Sequence, residues 1–216
     1  MTVDFQASLL DEVAGPVGGP ALGDLGATVE RTTLGSGAWV DLRPGWVSGS
    51  DELFVRLARD VPWHAERRQM YDRVVDVPRL LKYYGDHDAL PDPLLTEARE
   101  RLSAHYRPEL GEPFTTAGLC YYRDGRDSVA WHGDTIGRSR TEDTMVAIVS
   151  FGEPRRLLLR PRGGSAAGAT LGFALGHGDL LVMGGSCQRT WEHAVPKTAR
   201  PTGPRISVQF RPHNVH

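Results

Sequence analysis

Cysteine is scarce: 216 residues contain only Cys120 and Cys187. Two thiols are too few for a disulfide framework, which suits a reducing compartment. Long apolar runs are missing as well, and no stretch approaches the roughly 20 residues needed to span a bilayer. The opening MTVDFQASLLDEVAG has acidic residues and no basic segment leading into an apolar run, so it does not read as a secretory signal. A cytoplasmic protein with no membrane partner is expected. An excess of one charge is also lacking. Lys and Arg number 25 against 27 Asp and Glu, a formal net charge of -2, and the pI is near 6.4. The whole molecule therefore has no attraction for phosphate, and any nucleic-acid contact must come from a local basic patch.

What is present suffices for a core. With 40% hydrophobic and 24% charged residues, the chain has the composition of a globular protein, and its length suits one domain with a decorated core. Residues 14 to 27, AGPVGGPALGDLGA, are dense in Gly and Pro and read as part of a loose leader over residues 1–30, ahead of a single domain over 31–216. Residues 38 to 48 suggest a strand, a Pro-Gly turn and a re-entry. Asp51 then caps a helix carrying Leu53, Phe54, Leu57 and Ala58. A second helix is capped by Asp92, has Pro93 at its first position, places Leu94, Leu95, Ala98 and Leu102 on one face, and ends near Tyr106, before Pro108.

From Ala117 the texture changes to short apolar and β-branched runs: AGLCYY, SVAWH, TMVAIVSF, RRLLLR, TLGFAL, DLLVM, TWEHAV and RISVQF. Gly, Asp and Pro separate them. Eight strands with no room for helices read as a jelly roll. The fold class is thus α+β, a jelly-roll (double-stranded β-helix) core with N-terminal helices packed on it.

The triplet His-Gly-Asp occurs twice, at His132 to Asp134 and at His177 to Asp179. Residues i and i+2 of a strand point to one side, so an imidazole and a carboxylate can converge on one ion. A distant histidine would complete the two-nitrogen, one-carboxylate facial triad of non-haem iron oxygenases. Spacing alone does not separate the two pairs, although the Gly-rich flanks of His177 and Asp179 read as a hairpin turn. In the tail RISVQFR, Arg205 and Arg211 lie six apart in a strand and so share a face. Two guanidiniums facing one cavity match a dicarboxylate. Otherwise they are the charged edges of a surface strand.

The segment YRDGRDSVAWHGDTIGR resembles the iron-binding region of the AlkB family of Fe(II)- and 2-oxoglutarate-dependent dioxygenases. The resemblance continues through VAIVSFG, HGDLLVMGG, TWEHAVP and RISVQFR, covering residues 78 to 211 in order. It implies His132, Asp134 and His193 as iron ligands and leaves His177 and Asp179 at a turn. It further implies a cosubstrate site made of Tyr122, Cys120, Arg205, Ser207, Gln209 and Arg211, with Arg205 on the distal carboxylate of 2-oxoglutarate and Arg211 near its iron-side carboxylate. PRLLKYYGD resembles the family's lid over the target base, which makes Trp63, Arg79, Tyr83 and Tyr84 substrate-binding candidates. Ordinary core packing is the other reading of Trp63 and Tyr83.

The activity so implied uses Fe(II), 2-oxoglutarate and O2 to dealkylate N-alkylated bases of DNA or RNA, presented single-stranded or flipped out of a duplex to a monomeric enzyme. Arg138 and Arg160 are candidates for phosphate contacts, against a solvated rim. Two positions depart from the family. Cys120 stands where members commonly have Asn, and Ile136 stands where the founding bacterial enzyme has an acidic residue, so base preference does not carry over. Competing readings are the same oxygenase chemistry on a protein or small molecule, and a metal-stabilised jelly roll that only binds.

Overall fold

The computed structural model describes residues 19–70, 73–163 and 170–215. In chain order these form β1 (Ala21–Leu22), β2 (Glu30–Thr33), β3 (Ala38–Arg43), β4 (Val47–Ser48), α1 (Asp51–Asp60), β5 (His64–Met70), β6 (Arg73–Tyr84), α2 (Pro93–Leu110), β7 (Phe114–Tyr122), β8 (Val129–His132), β9 (Val146–Gly152), β10 (Arg155–Pro161), β11 (Leu171–Leu175), β12 (Leu180–Gly185), α3 (Cys187–Thr190), β13 (Trp191–Val195) and β14 (Arg205–Pro212). The eight expected core strands are β7 to β14. They divide four and four between two sheets: β12-β9-β14-β7 at the centre of an eight-stranded sheet, and β11-β10-β13-β8 as a four-stranded one. Antiparallel pairs β2-β3 and β5-β6 extend the larger sheet at its two edges. This is the jelly-roll core, and the chain is α+β.

Alternation along the strands of the larger sheet gives it two apolar faces. On β9 and β14, Ala147, Val149, Phe151, Ile206, Val208 and Phe210 pack with Leu53 and Leu57 of α1 and Leu95, Leu102 and Tyr106 of α2. On the other face Val146 and Ile148 meet Leu157, Leu159 and Leu175 of the small sheet. The same period points Arg205, Ser207, Gln209 and Arg211 of β14 toward the space between the sheets. The functional cavity therefore lies inside the roll, and the helices support it from behind.

Several boundaries differ from expectation. Ser50, not Asp51, precedes the first helical residue, and Asp51 and Glu52 occupy the first turn, where negative charge suits the helix dipole. At α2 the Asp92 carboxylate accepts from the Leu94 N–H at 3.0 Å, as expected of a cap. That helix runs through Pro108 to Gly111, which closes it at φ 78°. Proline so near the end removes a single backbone bond, and glycine supplies the left-handed exit. The four-residue α3 interrupts the all-β half.

Residues 1–18 of the expected leader lie outside the described residues. Over residues 19–30 the leader is not loose: Ala21–Leu22 pairs with Val47–Ser48, the Gly23 N–H donates to the Trp46 carbonyl at 2.7 Å, the Trp46 indole N–H returns to the Gly23 carbonyl at 3.0 Å, and Leu25 is buried. A fully buried tryptophan clamps it. No helix among the described residues is long and apolar enough to cross a membrane.

Candidate metal and cosubstrate site

β8 and β13 are neighbours in the small sheet, with His132 directly opposite His193. Their rings lie 4.2 Å apart between centroids. Just past the end of β8, Asp134 joins them: His132 Nε2 is 3.7 Å from Asp134 Oδ1, and one ligand atom from each of the three residues lies within 4.8 Å of the others. Two imidazoles and one carboxylate on a common point form a donor set that can hold iron and leave positions open.

The surroundings tune these ligands. Burial alone would raise the Asp134 carboxyl, but the Arg211 guanidinium and both imidazoles outweigh it and hold the group well below the usual carboxylate range. Burial, with His132 alongside, pushes His193 down to about 3, so its imidazole stays neutral as coordination requires. Arg211 Nε donates to Asp134 Oδ2 at 2.7 Å, the Asp134 N–H donates to Gln188 Oε1 at 3.0 Å, and the Ser139 hydroxyl donates to the Asp134 carbonyl. His132 Nδ1 lies 2.9 Å from the Ala130 carbonyl, a contact that orients the ring and leaves Nε2 toward Asp134.

Beside this triad a cavity of about 80 Å³ is lined by Arg79, Tyr122, Arg205, Ser207, Gln209 and Arg211 on its polar side and by Val129, Ile148, Leu157 and Val195 on its apolar side. Arg205 is only 2% exposed. Its Nε donates to Ser150 Oγ at 2.9 Å, yet its buried Nη1 has no hydrogen-bond partner among the described residues. An unpaired guanidinium nitrogen in such a place is costly unless an anion completes it. It therefore fits a carboxylate of the cosubstrate. Burial pushes the Tyr122 phenol up to about 12, so it remains a hydrogen-bond donor at neutral pH, and its ring lies 5.2 Å from the Arg205 guanidinium carbon. Cys120 Sγ donates weakly to Gln209 Oε1 at 3.6 Å, and Gln209 Nε2 donates to the Ser207 carbonyl at 2.9 Å. All six expected cosubstrate residues line this cavity.

The substrate candidates scatter. PRLLKYY forms the last part of β6, paired with β7 from Leu80↔Tyr121 to Tyr84↔Ala117. Arg79 and Tyr83 face the cavity side. Arg79 lines both the cosubstrate cavity and an open cleft of about 490 Å³ next to it, and Tyr83 lines that cleft and is 46% exposed. Tyr84 points the opposite way and is buried in the helix-side core. Trp63 also belongs to that side: its indole N–H donates to the Leu57 carbonyl at 3.2 Å, and its ring packs 5.3 Å from Tyr121.

The two phosphate candidates are placed elsewhere. Arg160 alternates with the inward Leu159, so it lies on the outer face of the small sheet, over Trp131 at 4.2 Å and paired with Glu192 at 2.9 Å. Arg138 is held by Glu112 and Glu142 and by the His213 carbonyl. Sequence reasoning missed Gln188 and Ser150, which steady Asp134 and Arg205. Gln188 belongs to no motif, and Ser150 stands within VAIVSFG with no role implied for it, so only three-dimensional proximity shows what either does at the site.

The second His-Gly-Asp serves the fold. His177 Nδ1 accepts from the Gly152 N–H at 2.7 Å, while Asp179 accepts from Gly45 at 2.8 Å and Gly176 at 2.7 Å. It is not a hairpin as expected, because β11 and β12 belong to different sheets. The turn carries the chain from one sheet to the other.

A jelly roll enclosing a two-histidine, one-carboxylate cluster beside a guanidinium-lined cavity defines a non-haem iron oxygenase with a dicarboxylate cosubstrate. Residues 79–211 match the 2OG-Fe(II) oxygenase superfamily, and the chain belongs to that family, as an AlkB-like member that uses Fe(II), 2-oxoglutarate and O2. It is 31% identical over 190 residues to the alpha-ketoglutarate-dependent dioxygenase alkB homolog 3 of Bos taurus, with 80% of this chain and 65% of that protein covered. It is 28% identical over 179 residues to the DNA oxidative demethylase ALKBH2 of Homo sapiens, with 75% and 68% covered. The chain thus spans just under two thirds of the homolog 3 relative. The structure of OsALKBH1 superposes with a TM-score of 0.57 at 16% identity, over 85% of this chain and all of that one, a likeness of fold.

Proposed function

We propose that this chain oxidatively dealkylates N-alkylated bases, such as N1-methyladenine and N3-methylcytosine, in single-stranded or flipped-out DNA or RNA. The observation that carries the reading is the open cleft. It shares Arg79, Cys120, Gln209 and Arg211 with the cosubstrate cavity and has the half-exposed Tyr83 in its wall. An aromatic face beside cationic walls suits an unpaired base, whose stacking contributes about 1 to 3 kcal/mol. A base still inside a duplex cannot enter. Relatives named as DNA oxidative demethylases point the same way.

In this reading His132, Asp134 and His193 hold the iron. Arg205 Nη1 and the Tyr122 hydroxyl hold the distal carboxylate of 2-oxoglutarate, Arg211 attends the iron-side carboxylate, and Ser207, Gln209 and Cys120 complete the wall. When bound, iron and 2-oxoglutarate supply from O2 the oxidising power that attacks an N-alkyl carbon. The products of that chemistry would be succinate, CO2, formaldehyde and the free base. Val129, Ile148, Leu157 and Val195 keep water from the cosubstrate. Ile136, 70% exposed, offers no proton acceptor to the base, so the pairing edge is not read there.

The test is incubation with iron(II), 2-oxoglutarate and oligonucleotides bearing either lesion. Formaldehyde release in step with lesion loss is expected. Consumption of 2-oxoglutarate with the lesion intact would transfer the same chemistry to a protein or small-molecule substrate. Failure to bind iron and 2-oxoglutarate would restore the view of a jelly roll that only binds.

A further inference from the structure

Gly118 lies in the middle of β7 and faces the cleft, with Tyr83 opposite it on β6 and Gln209 opposite it on β14. Glycine inside a strand weakens it and usually has a local reason. Its backbone does not supply one, because Gly118 is not among the residues of positive φ. The reason is a side chain from the next strand. A Cβ at residue 118 would stand 2.9 Å from Arg211 Nη1 and 3.2 Å from Gln209 Oε1. The Arg211 end is not free to swing aside, since its Nε is bonded to Asp134 Oδ2 at 2.7 Å and its side chain is only 15% exposed.

We propose that Gly118 is a positioning residue: the absence of a side chain there is what lets the Arg211 guanidinium lie across β7 and hold Asp134. Arg211 in turn faces both the cosubstrate cavity and the cleft, so a methyl group at residue 118 displaces the one cation that joins the metal carboxylate to the cosubstrate wall. Arg211 is the closer of the two contacts, and the 3.2 Å approach to Gln209 Oε1 is the lesser one. The inference rests on the metal and cosubstrate site and holds whether the substrate is a nucleic acid or not.

The test is a double-mutant cycle on Gly118→Ala and Arg211→Met, read as 2-oxoglutarate affinity of the manganese(II)-loaded protein by titration calorimetry. Gly118→Ala alone should weaken 2-oxoglutarate by about 10-fold, the lower range for disturbing a group behind a metal ligand. It should also raise the apparent KM for 2-oxoglutarate more than it lowers kcat. In the Arg211→Met background the same substitution should change affinity less than about 2-fold, because the closer collision is gone and only the 3.2 Å approach to Gln209 Oε1 remains. Additive effects, or unchanged affinity in Gly118→Ala, overturn the proposal. If Gly118→Ala fails to fold, recovery of folding in the double variant supports the collision with Arg211, and failure of both overturns it.

Discussion

Asp134 divides its two oxygens between two tasks. Oδ2 is taken by Arg211 at 2.7 Å, which leaves Oδ1, 3.7 Å from His132 Nε2, for the ion. Asp134→Ala should therefore lower 2-oxoglutarate turnover by at least about 100-fold, beyond what loss of an outer partner causes. It should also destabilise the metal-free protein by about 3 kcal/mol, since Arg211 then loses its buried counter-charge. Turnover assays and thermal unfolding check the two effects, and near-normal turnover would remove Asp134 from the metal. The cysteines differ in the same local way. Cys187 is buried, and burial pushes its thiol up from 9.0 to about 12, while Cys120 is half-buried and lines both cavities. Alkylation of the folded protein at pH 8 should modify Cys120 alone, with Cys187 following only in denaturant. Because the Cys187 pKa is raised on folding, its contribution to stability is complete below pH 9 and fades as pH climbs toward 12. Mass spectrometry after iodoacetamide treatment reads the first effect, and two equally labelled thiols in the folded protein would refute it. The triad was legible in sequence because His132 and Asp134 lie two apart at a strand end and a family-like series of motifs runs on to His193. Gln188 was not, since it reaches Asp134 from 54 residues away out of a four-residue helix.

At the scale of elements, strands were easier to read than their partners. Every run from AGLCYY to RISVQF became a strand, because alternation against two cores leaves each a distinct period. PRLLKYY is less periodic, since apolar residues fill both of its faces, and as a strand it puts Arg79, Leu81 and Tyr83 in the cleft wall. Trp63 and Tyr84 belong instead to the helix-side core, a placement that the resemblance does not convey. For α2 the cap was legible, and its energetic weight can be measured. Asp92 accepts from Leu94 at 3.0 Å and pairs with Arg56 at 2.9 Å. Asp92→Ala should cost about 1 to 2 kcal/mol and lower Tm by roughly 2 to 8 °C for a domain of this size. The 2-oxoglutarate affinity should stay unchanged, because α2 supports the back of the large sheet rather than the cavity. Calorimetric unfolding beside a cosubstrate titration checks both, and a loss of affinity would mean that the back of the sheet tunes its front.

For the molecule as a whole, the near-balance of charge has a consequence for binding. Arg31, Arg56, Arg123, Arg126, Arg138 and Arg160 are each paired with a carboxylate, so much of the basic surface is already neutralised. Arg79, Lys82 and Arg211 line the cleft, and Arg211 is committed to Asp134. Among the described residues lining the cleft, Arg79 and Lys82 are then the cations left to displace counterions from a phosphate chain. If one to three phosphates are neutralised, the affinity for a single-stranded oligonucleotide should fall with salt at a log–log slope of about -0.7 to -2. A protein making six or more such contacts would fall at -4 or steeper. Recognition would rest instead on the seated base, and Tyr83→Ala should weaken binding by about 1 to 3 kcal/mol, the range for one stacked base, while leaving the slope alone. Fluorescence anisotropy between 50 and 200 mM salt, with wild type and Tyr83→Ala side by side, separates the two contributions. A slope steeper than -4 would move the main contact from the cleft to a basic surface elsewhere. A slope that flattens in Tyr83→Ala would mean that the ring orders a phosphate contact rather than stacking on a base.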